Sequence, residues 1–584
     1  MTDLKAASLD RELELKNFKR VASEPEGAFP RSGVARSIEP APTICNLDEG
    51  NGKMRVARIA VPAILFGLNL GLASCQQQAG KGGDGGDGGD NPAQFVVEAT
   101  IADIHAAMLD GRLTARQLVE LYLERIEAYD KRGPAINAIV LINPNALARA
   151  EELDRQLAES GMVGPLHGIP VIVKDNYDTD DLPTTGGSLS LVGSMPPDDA
   201  FQVRRLREAG AIVIAKSNMA EFAFSPYHTV GSRLPGHTRN PYALNRVPAG
   251  SSGGTAAAVS ASFGAVGLGT DTGNSIRGPS SHTSLVGIRS TMGLTSRDGI
   301  VPLYLDRDIG GPMARTVADA VAVLDVIAGY DPADPVTAAS EARRAERYAD
   351  FLLEDGLQGA RIGVVRQISN TETADPEILQ RFEEALEAMR RGGAVIIDPA
   401  NIPEQDDIPL RRRWCPRFKT DINAYLASLG EGAPVKNLDE IIESGRTHPS
   451  VRSALDFFSE IEESPEESEV CRRAGENAER LRAGVRRVMA ENQLDALVHP
   501  TWSNPPRLIG DLNTPAGDNS QFVAPHTGFP AITVPMGFVR DSLPVGLQII
   551  GDAWTEPKLI AIAYSYEQAT RHRRAPSSVP PLDR

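Results

Sequence analysis

AGSSGGTAAAVSASFGAVGLGTDTGNSIR, residues Ala249–Arg277, is the most unusual stretch of this chain. Its composition predicts a Gly/Ser loop over Gly250–Gly254, a small-residue helix over Thr255–Phe263, and a second loop over Gly269–Ser275. Glycine permits positive φ, so main-chain N–H groups in such loops can point into one concavity that suits a phosphate or an oxyanion. Because the chain has no GxxxxGK[ST] motif, the phosphate-loop interpretation is weak.

The loop GSSGG also matches the nucleophile-elbow pattern GxSxG, which would make Ser252 a nucleophile. That pattern requires a strand directly before it. The preceding residues 239–248, RNPYALNRVP, contain two prolines and show no alternation of apolar and polar side chains. The elbow is therefore the weaker of two hydrolase interpretations of this stretch.

Outside this stretch, short apolar runs alternate with amphipathic ones. The run Pro170–Lys174 is apolar, β-branched and ends in lysine, which is typical of a buried strand. Thr114 is the expected N-cap of one helix. The other predicted strands are 211–215, 361–365 and 394–397, and the predicted helices are 100–110, 114–129, 200–209 and 376–391. This alternation predicts an α/β fold with helices covering a sheet.

GSSGG followed by GTDTGNSIR resembles the signature of the amidase signature family, and GPLHGIPVIVKDN, residues Gly164–Asn176, resembles the lysine segment of that family. Further matching segments follow in the family's order: KSNMAEF (216–222), TRNPY (238–242), GPMARTV (311–317), GFPAITVP (528–535) and LPVGLQIIG (543–551). The resemblance covers roughly residues 95–570. It implies a mixed β-sheet core covered by α-helices on both faces.

The resemblance also implies a role for each matching residue. The nucleophile would be Ser275, the bridging serine Ser251 rather than Ser252, and the base Lys174, with a cis peptide at Gly250–Ser251. The implied oxyanion hole consists of the main-chain N–H groups of Thr272, Gly273, Asn274 and Ser275. The implied supporting residues are Asp271, Arg277 and Ser252.

The chemistry explains these residue types. A serine hydroxyl is a poor nucleophile until a base removes its proton, and a lysine can be that base if burial lowers its pKa. Lys174 follows four apolar or proline residues, which indicates burial. Ser251 would pass the proton from Ser275 to Lys174, and water would hydrolyse the acyl-Ser275 ester. This mechanism requires no metal or cofactor, and the nine histidines show no HExxH spacing.

One departure from the family pattern concerns the loop before the nucleophile. The usual pattern has two glycines there, and the second is Asn274 in this chain. Asparagine tolerates left-handed φ, so we expect the loop to keep its shape, with the amide side chain near the substrate. Residues 404–476 are expected to cap the site, and selectivity is expected from residues 184–190 and 414–476. His499 and His526 are interpreted as core or pocket-lining residues.

Composition excludes some functions. A formal net charge of −17 argues against a nucleic-acid ligand, because a phosphate-binding surface needs clustered lysine and arginine. The four cysteines, Cys45, Cys75, Cys415 and Cys471, have no CxxC spacing, which argues against zinc and redox motifs. Cys415 and Cys471 could pair in an oxidising compartment.

The N-terminal region has the pattern of an address. Residues 54–75 contain two arginines, a short apolar run and the ending LASC, which resembles a bacterial lipobox cleaved before Cys75 and lipidated there. We therefore predict a lipoprotein signal peptide over 54–75, a Gly/Asp-rich flexible tether over 76–94 and a catalytic domain over 95–584. Residues 1–53 are predicted to be a disordered or mis-annotated extension, with translation starting at Met54.

The sequence thus predicts a serine amidase of the cell envelope that cleaves a small-molecule amide and meets the membrane only through a lipid on Cys75. A first alternative is an A-type component of a glutamine-hydrolysing amidotransferase, which a lipid anchor disfavours because that branch works with cytoplasmic tRNA. A second alternative is a lipoprotein that binds an amide or peptide without turnover. The sequence leaves open which amide is cleaved and whether the chain forms a homodimer.

Overall fold

The computed structural model describes residues 95–582. The predicted extension (1–53), signal peptide (54–75) and tether (76–94) lie outside the described residues. None of the helices described is both long and apolar enough to cross a bilayer.

The strands of the described residues form one mixed sheet. They are β1 (Ile139–Ile142), β2 (Pro170–Lys174), β3 (Ile212–Ser217), β4 (Val266–Asp271), β5 (Val286–Arg289), β6 (Ile309–Ala314), β7 (Arg361–Val364), β8 (Val395–Ile397), β9 (Ala496–Pro500), β10 (Ala531–Val539) and β11 (Leu543–Ile550). The sheet has 11 strands in the order β1-β3-β2-β4-β6-β5-β10-β11-β9-β7-β8. Strand β2 is parallel to β3 and β4, β7 is parallel to β8 and β9, and the other pairs are antiparallel. The predicted α/β fold with a mixed sheet is confirmed.

Helices pack against this sheet. They are α1 (Ile101–Leu109), α2 (Ala115–Tyr129), α3 (Ala146–Ser160), α4 (Phe201–Glu208), α5 (Gly253–Ser260), α6 (Arg277–His282), α7 (Val317–Ile327), α8 (Ser340–Arg343), α9 (Arg366–Ser369), α10 (Pro376–Arg391), α11 (Pro403–Asp407), α12 (Phe418–Ser428), α13 (Leu438–Glu443), α14 (Pro449–Ser459), α15 (Glu469–Glu491), α16 (Ala524–Thr527) and α17 (Glu556–Thr570). Helices α11 to α14 and the start of α15 form the region predicted to cap the site.

Helix starts follow the capping residues that the sequence predicts. Thr114 Oγ1 accepts a hydrogen bond from Gln117 N at 3.1 Å, and Gln117 Oε1 accepts one from Thr114 N at 2.9 Å, so α2 begins with a capping box. The predicted strand Pro170–Lys174 and helix 376–391 have the observed bounds. The ends of the other predicted elements shift by one to three residues, the small-residue helix 255–263 becoming Gly253–Ser260.

The predicted loop over Gly269–Ser275 is wrong for its first half. Residues 269–271 belong to β4 and pair with β6 in an antiparallel ladder. Glycine is needed at 269 for close packing, because a Cβ there would lie 2.8 Å from Met313 Sδ and 3.0 Å from Ser252 Oγ. The loop is therefore confined to residues 272–276 and follows directly from a strand end.

Two adjacent parallel strands bring the site residues together. Lys174 is the last residue of β2 and Asp271 is the last residue of β4, and β2 pairs with β4 from Val171 to Val173. All five residues of β2 are buried, as expected of a parallel strand covered on both faces. Helix α5 packs on both strands, so the GSSGG loop that leads into it lies beside the two strand ends.

Candidate active site

Lys174 shares a buried space with two hydroxyl groups. Its Nζ lies 2.7 Å from Ser251 Oγ and 2.7 Å from Thr270 Oγ1, and the residue is 0% exposed. Asn176 Nδ2 donates to the same Thr270 oxygen at 3.1 Å. The peptide between Gly250 and Ser251 is cis, as the family resemblance implies. The structure thus places the predicted lysine in direct contact with the predicted bridging serine.

The surroundings of Lys174 favour its neutral form. Burial lowers the pKa of Lys174 from its ordinary 10.5 to about 7, because the ammonium group loses its hydration. The negative charges of Asp308 and Asp271 act in the opposite direction and offset only part of this effect. An amine with a pKa near neutrality can accept a proton from a hydroxyl at physiological pH.

Ser252, the nucleophile of the elbow interpretation, has both hydrogen-bonding functions of its side chain occupied by the main chain. Its Oγ donates to Thr270 O at 3.1 Å and accepts from Thr270 N at 3.3 Å. Ser252 is 0% exposed, and the described segment directly before its loop contains no strand. The side chain fixes the start of α5 against β4, which fits the predicted supporting role.

A buried ionic cluster holds the end of β4. Asp271 Oδ1 accepts from Arg277 Nη2 at 3.0 Å and from Arg289 Nη1 at 2.9 Å, and Oδ2 accepts from Arg277 Nε and Ile276 N, both at 3.1 Å. Burial alone would raise the pKa of Asp271, but the two guanidinium groups hold it well below its usual range. Asp271 and Arg277 therefore fix the curvature of the 272–276 loop, as the predicted supporting roles require.

Ser275 lies in that loop and lines a cavity. Its Oγ lies 3.4 Å from Asn274 Oδ1. The main-chain N–H groups of Gly273, Asn274 and Ser275 have no hydrogen-bond acceptor among the described residues. Unpaired donors of this kind are rare in folded chains, and here they border a cavity where a substrate oxyanion could accept them. Thr272, the fourth predicted donor, anchors the loop through its hydroxyl group on Asp308.

Asn274 fits the loop in a different way from the one the sequence suggests. It does not adopt positive φ, so tolerance of the left-handed region is not what allows it. Its Nδ2 lies 3.4 Å from Pro226 O, and the next helical turn provides room through Gly278, where a Cβ would lie 2.8 Å from that nitrogen. The amide side chain therefore tethers the nucleophile loop to the segment that contains Pro226.

The cavity beside Ser275 has a volume of about 440 Å³ and combines a polar floor with an aromatic wall. The floor is the 272–275 loop together with Gln521. The wall consists largely of apolar side chains: Phe224, Leu303, Tyr304, Trp414, Phe418, Phe457, Phe458 and Val470. Volume and composition are typical of a site for a small organic molecule.

The capping region forms part of this wall, as predicted. The rings of Phe224 and Phe418 lie 4.7 Å apart, and those of Phe418 and Phe458 lie 5.4 Å apart. Cys415 lines the cavity and is joined to Cys471 by a disulfide, the pairing that the sequence left open. The disulfide ties the segment before α12 to the start of α15.

The other selectivity segment is placed differently. Residues 184–190 do not line the cavity among the residues described, because they turn inward and Thr185 Oγ1 donates to Asp175. His499 is buried and hydrogen-bonded to Gln548 at 3.1 Å, which confirms the core interpretation. His526 lines a second cavity behind Trp414.

Several site residues were missed by the sequence interpretation. Thr270 carried a signal, because the period of two in a strand places it on the face opposite Asp271. Asn176 also lies within a matched motif. Arg289 gave no local signal, since its carboxylate partner is 18 residues away in sequence. Among the described residues no group of three or more metal-ligating side chains is present.

Comparisons with known proteins agree with this geometry. The amidase family profile matches residues 117–560. A probable amidase from Arabidopsis thaliana is 37% identical over 504 residues, which are 83% of this chain and 92% of the plant protein. The A-type component of the glutamyl-tRNA(Gln) amidotransferase from Gloeobacter violaceus is 34% identical over 82% of this chain and 98% of its own length.

Solved structures show the same fold. The native peptide amidase of Stenotrophomonas maltophilia superimposes with a TM-score of 0.76 at 38% identity, covering 83% of this chain and 99% of that protein. A complex of the peptide amidase PAM with the competitive inhibitor chymostatin gives a TM-score of 0.74 at 38% identity, with the same coverage. The chain therefore belongs to the amidase signature family, and it is an enzyme that hydrolyses carboxylic amides.

Proposed function

We propose that Ser275 is the nucleophile of this amidase, Ser251 the proton relay and Lys174 the general base. The observation that carries the proposal is the 2.7 Å contact between Lys174 Nζ and Ser251 Oγ in a space without solvent exposure. The lowered pKa of Lys174 and the unpaired N–H groups beside Ser275 support the same assignment.

The proposed reaction has two steps. In the first, Ser275 Oγ attacks the amide carbon, its proton moves to Ser251 Oγ, and the Ser251 proton moves to Lys174 Nζ. The carbonyl oxygen becomes an oxyanion held by the N–H groups of Gly273 and Asn274. The C–N bond then breaks, the leaving nitrogen takes up the proton through the same relay, and water hydrolyses the acyl-Ser275 ester to the carboxylate. Each oxyanion donor is worth about 3–4 kcal/mol in the barrier.

We propose that the substrate is an amide with a large apolar or aromatic acyl part. The cavity of about 440 Å³ is walled by aromatic side chains, so an apolar acyl group gains free energy by leaving water there. The peptide amidases among the similar structures support a peptide amide with an aromatic or apolar residue next to the cleaved bond.

An amidotransferase A-type activity is the second candidate, since such components are among the similar proteins. The aromatic wall argues against it, because glutamine is short and polar and would leave that wall without contacts. Release of ammonia from glutamine at a rate equal to that from a phenylalanine amide would favour this second candidate.

A panel of amides tests the substrate proposal. Purified protein is incubated with N-acyl phenylalanine amide, N-acyl alanine amide, glutamine and acetamide, and ammonia release is measured. We expect the highest kcat/KM for the phenylalanine amide and none in the Ser275→Ala variant. Saturable binding without turnover of any of these amides would instead support a non-catalytic binding protein.

We also propose that the mature protein is a lipoprotein of the cell envelope anchored through Cys75. The lipobox-like ending LASC supports this proposal, and so does the disulfide between Cys415 and Cys471, because disulfides persist in oxidising compartments. Mass spectrometry of the native N-terminus provides the test. We expect a diacylglyceryl-modified Cys75 as the first residue, and a mature chain that retains residues before Cys75 would contradict the proposal.

A further inference from the structure

A second cavity, of about 510 Å³, lies behind the wall of the substrate cavity. Arg307, Arg413, Gly475 and His526 are among the residues that line it, and we name it the Arg307 cavity. Tyr304 lines both this cavity and the substrate cavity. The two spaces are therefore separated by little more than one layer of side chains.

Arg307 is a buried cation without an anionic partner among the described residues. It is 4% exposed, and its hydrogen-bond partner is the ring nitrogen Nδ1 of His526. Its guanidinium carbon lies 4.0 Å from the ring centroid of Trp414 and 5.0 Å from that of Tyr304. Because Arg307 can only donate, His526 Nδ1 must be unprotonated, and burial together with nearby arginines lowers the pKa of His526 well below its ordinary value.

Neighbouring charges add to the positive potential. Arg413 is 1% exposed, and the acceptors described for its guanidinium group are amide oxygens: Gln405 O and Oε1, Ile408 O and Phe522 O. The two carboxylates at the cavity, Asp306 and Glu479, are paired with Arg417 and Arg482. Two buried guanidinium charges thus face the cavity region without a carboxylate of their own, an arrangement that a bound anion would compensate.

We propose that the Arg307 cavity binds a small oxyanion, a carboxylate or a phosphate, through the guanidinium group of Arg307. The planar fork of arginine suits the two oxygens of such a group. The bound anion would hold the guanidinium group against Trp414, which lines the substrate cavity. Occupancy of the Arg307 cavity is therefore sensed by the wall of the substrate cavity. This inference does not depend on which residues perform catalysis.

Anion binding is tested on the full-length protein by thermal unfolding and isothermal titration calorimetry with acetate and with inorganic phosphate, at constant ionic strength. We expect one of the two anions to bind saturably at one site per chain and to raise the unfolding midpoint. The anion with the larger effect identifies the chemistry. Tryptophan emission should change on binding in the wild type and remain constant in Trp414→Phe.

Variants locate the site. Arg307→Gln should abolish the response, whereas Arg480→Gln, which removes an exposed charge from the same helix that borders the cavity, should retain it. A second pair is independent of Arg307: Gly475 lines the cavity and a Cβ there meets no heavy atom within 4 Å. Gly475→Glu should remove the anion response by supplying an internal carboxylate, and Gly475→Gln should retain it. Absence of binding by either anion, or equal responses of both Gly475 variants, would overturn the proposal.

Discussion

Replacement of Lys174 by methionine separates the catalytic role of this residue from its effect on stability. Methionine has a similar length but carries no titratable group, so the variant lacks the proposed base. General-base catalysis contributes about 10²- to 10⁴-fold to a rate, and we expect kcat/KM to fall by at least that factor. The same substitution removes a charge that the folded protein does not accommodate well.

The size of the stability effect follows from the pKa of Lys174. In the unfolded chain the pKa is about 10.5 and in the folded protein about 7, so the unfolded state binds more protons between these pH values and the free energy of unfolding rises with pH. At pH 7 the difference in pKa lowers the free energy of unfolding by about 4 kcal/mol, and at pH 9 by about 2 kcal/mol. The variant has no such dependence.

Denaturant unfolding of both proteins at pH 7 and pH 9 measures this effect. The free energy of unfolding of the wild type should gain about 2 kcal/mol relative to Lys174→Met between the two pH values. The sign of the difference at one pH is not the readout, because the variant also leaves Ser251 Oγ and Thr270 Oγ1 without Lys174. A difference that does not change with pH would refute a buried lysine with a lowered pKa.

Four further predictions follow from the same contacts. In Asp308→Asn the midpoint of the rising limb of kcat/KM against pH should move below its wild-type value near pH 7, because Asp308 raises the pKa of Lys174. Ser252→Ala should lose about 1–2 kcal/mol in denaturant unfolding through its two main-chain hydrogen bonds, yet keep activity within about tenfold. Asp271→Asn should lose about 3–5 kcal/mol at pH 7, since two buried guanidinium groups lose their carboxylate; the ionised form persists above pH about 4, so the loss should diminish only in stronger acid. Phe457→Ala should raise KM for a phenylalanine amide by about tenfold with little change in kcat, whereas Leu353→Ala, at an exposed position outside the cavity, should leave both unchanged.

Local sequence predicted much of the fold because its signals are local. The β-branched run 170–174 and the capping threonine at 114 act within one element, and both predictions are confirmed. The loop predicted over 269–275 failed because the glycines of β4 serve close packing against another strand and α5, which composition alone does not distinguish from loop flexibility.

The site shows the same division. Lys174, Ser251 and Ser275 lie in motifs that resemble those of the family, and the structure places Lys174 against Ser251. The partner of Asp271 across the sheet, Arg289, was not predicted, since an ion pair between separate strands depends on tertiary packing. The aromatic wall was missed for the same reason, because its rings come from distant segments and meet only in the folded chain.

Covalent labelling of the nucleophile tests the central claim most directly. A fluorophosphonate probe reacts with an activated serine whatever the natural substrate is, and peptide mapping then identifies the modified residue. We predict a single adduct on Ser275, formed faster as pH rises through about 7 and absent from Lys174→Met. An adduct on Ser252, or undiminished labelling of Ser275 in Lys174→Met, would contradict the account.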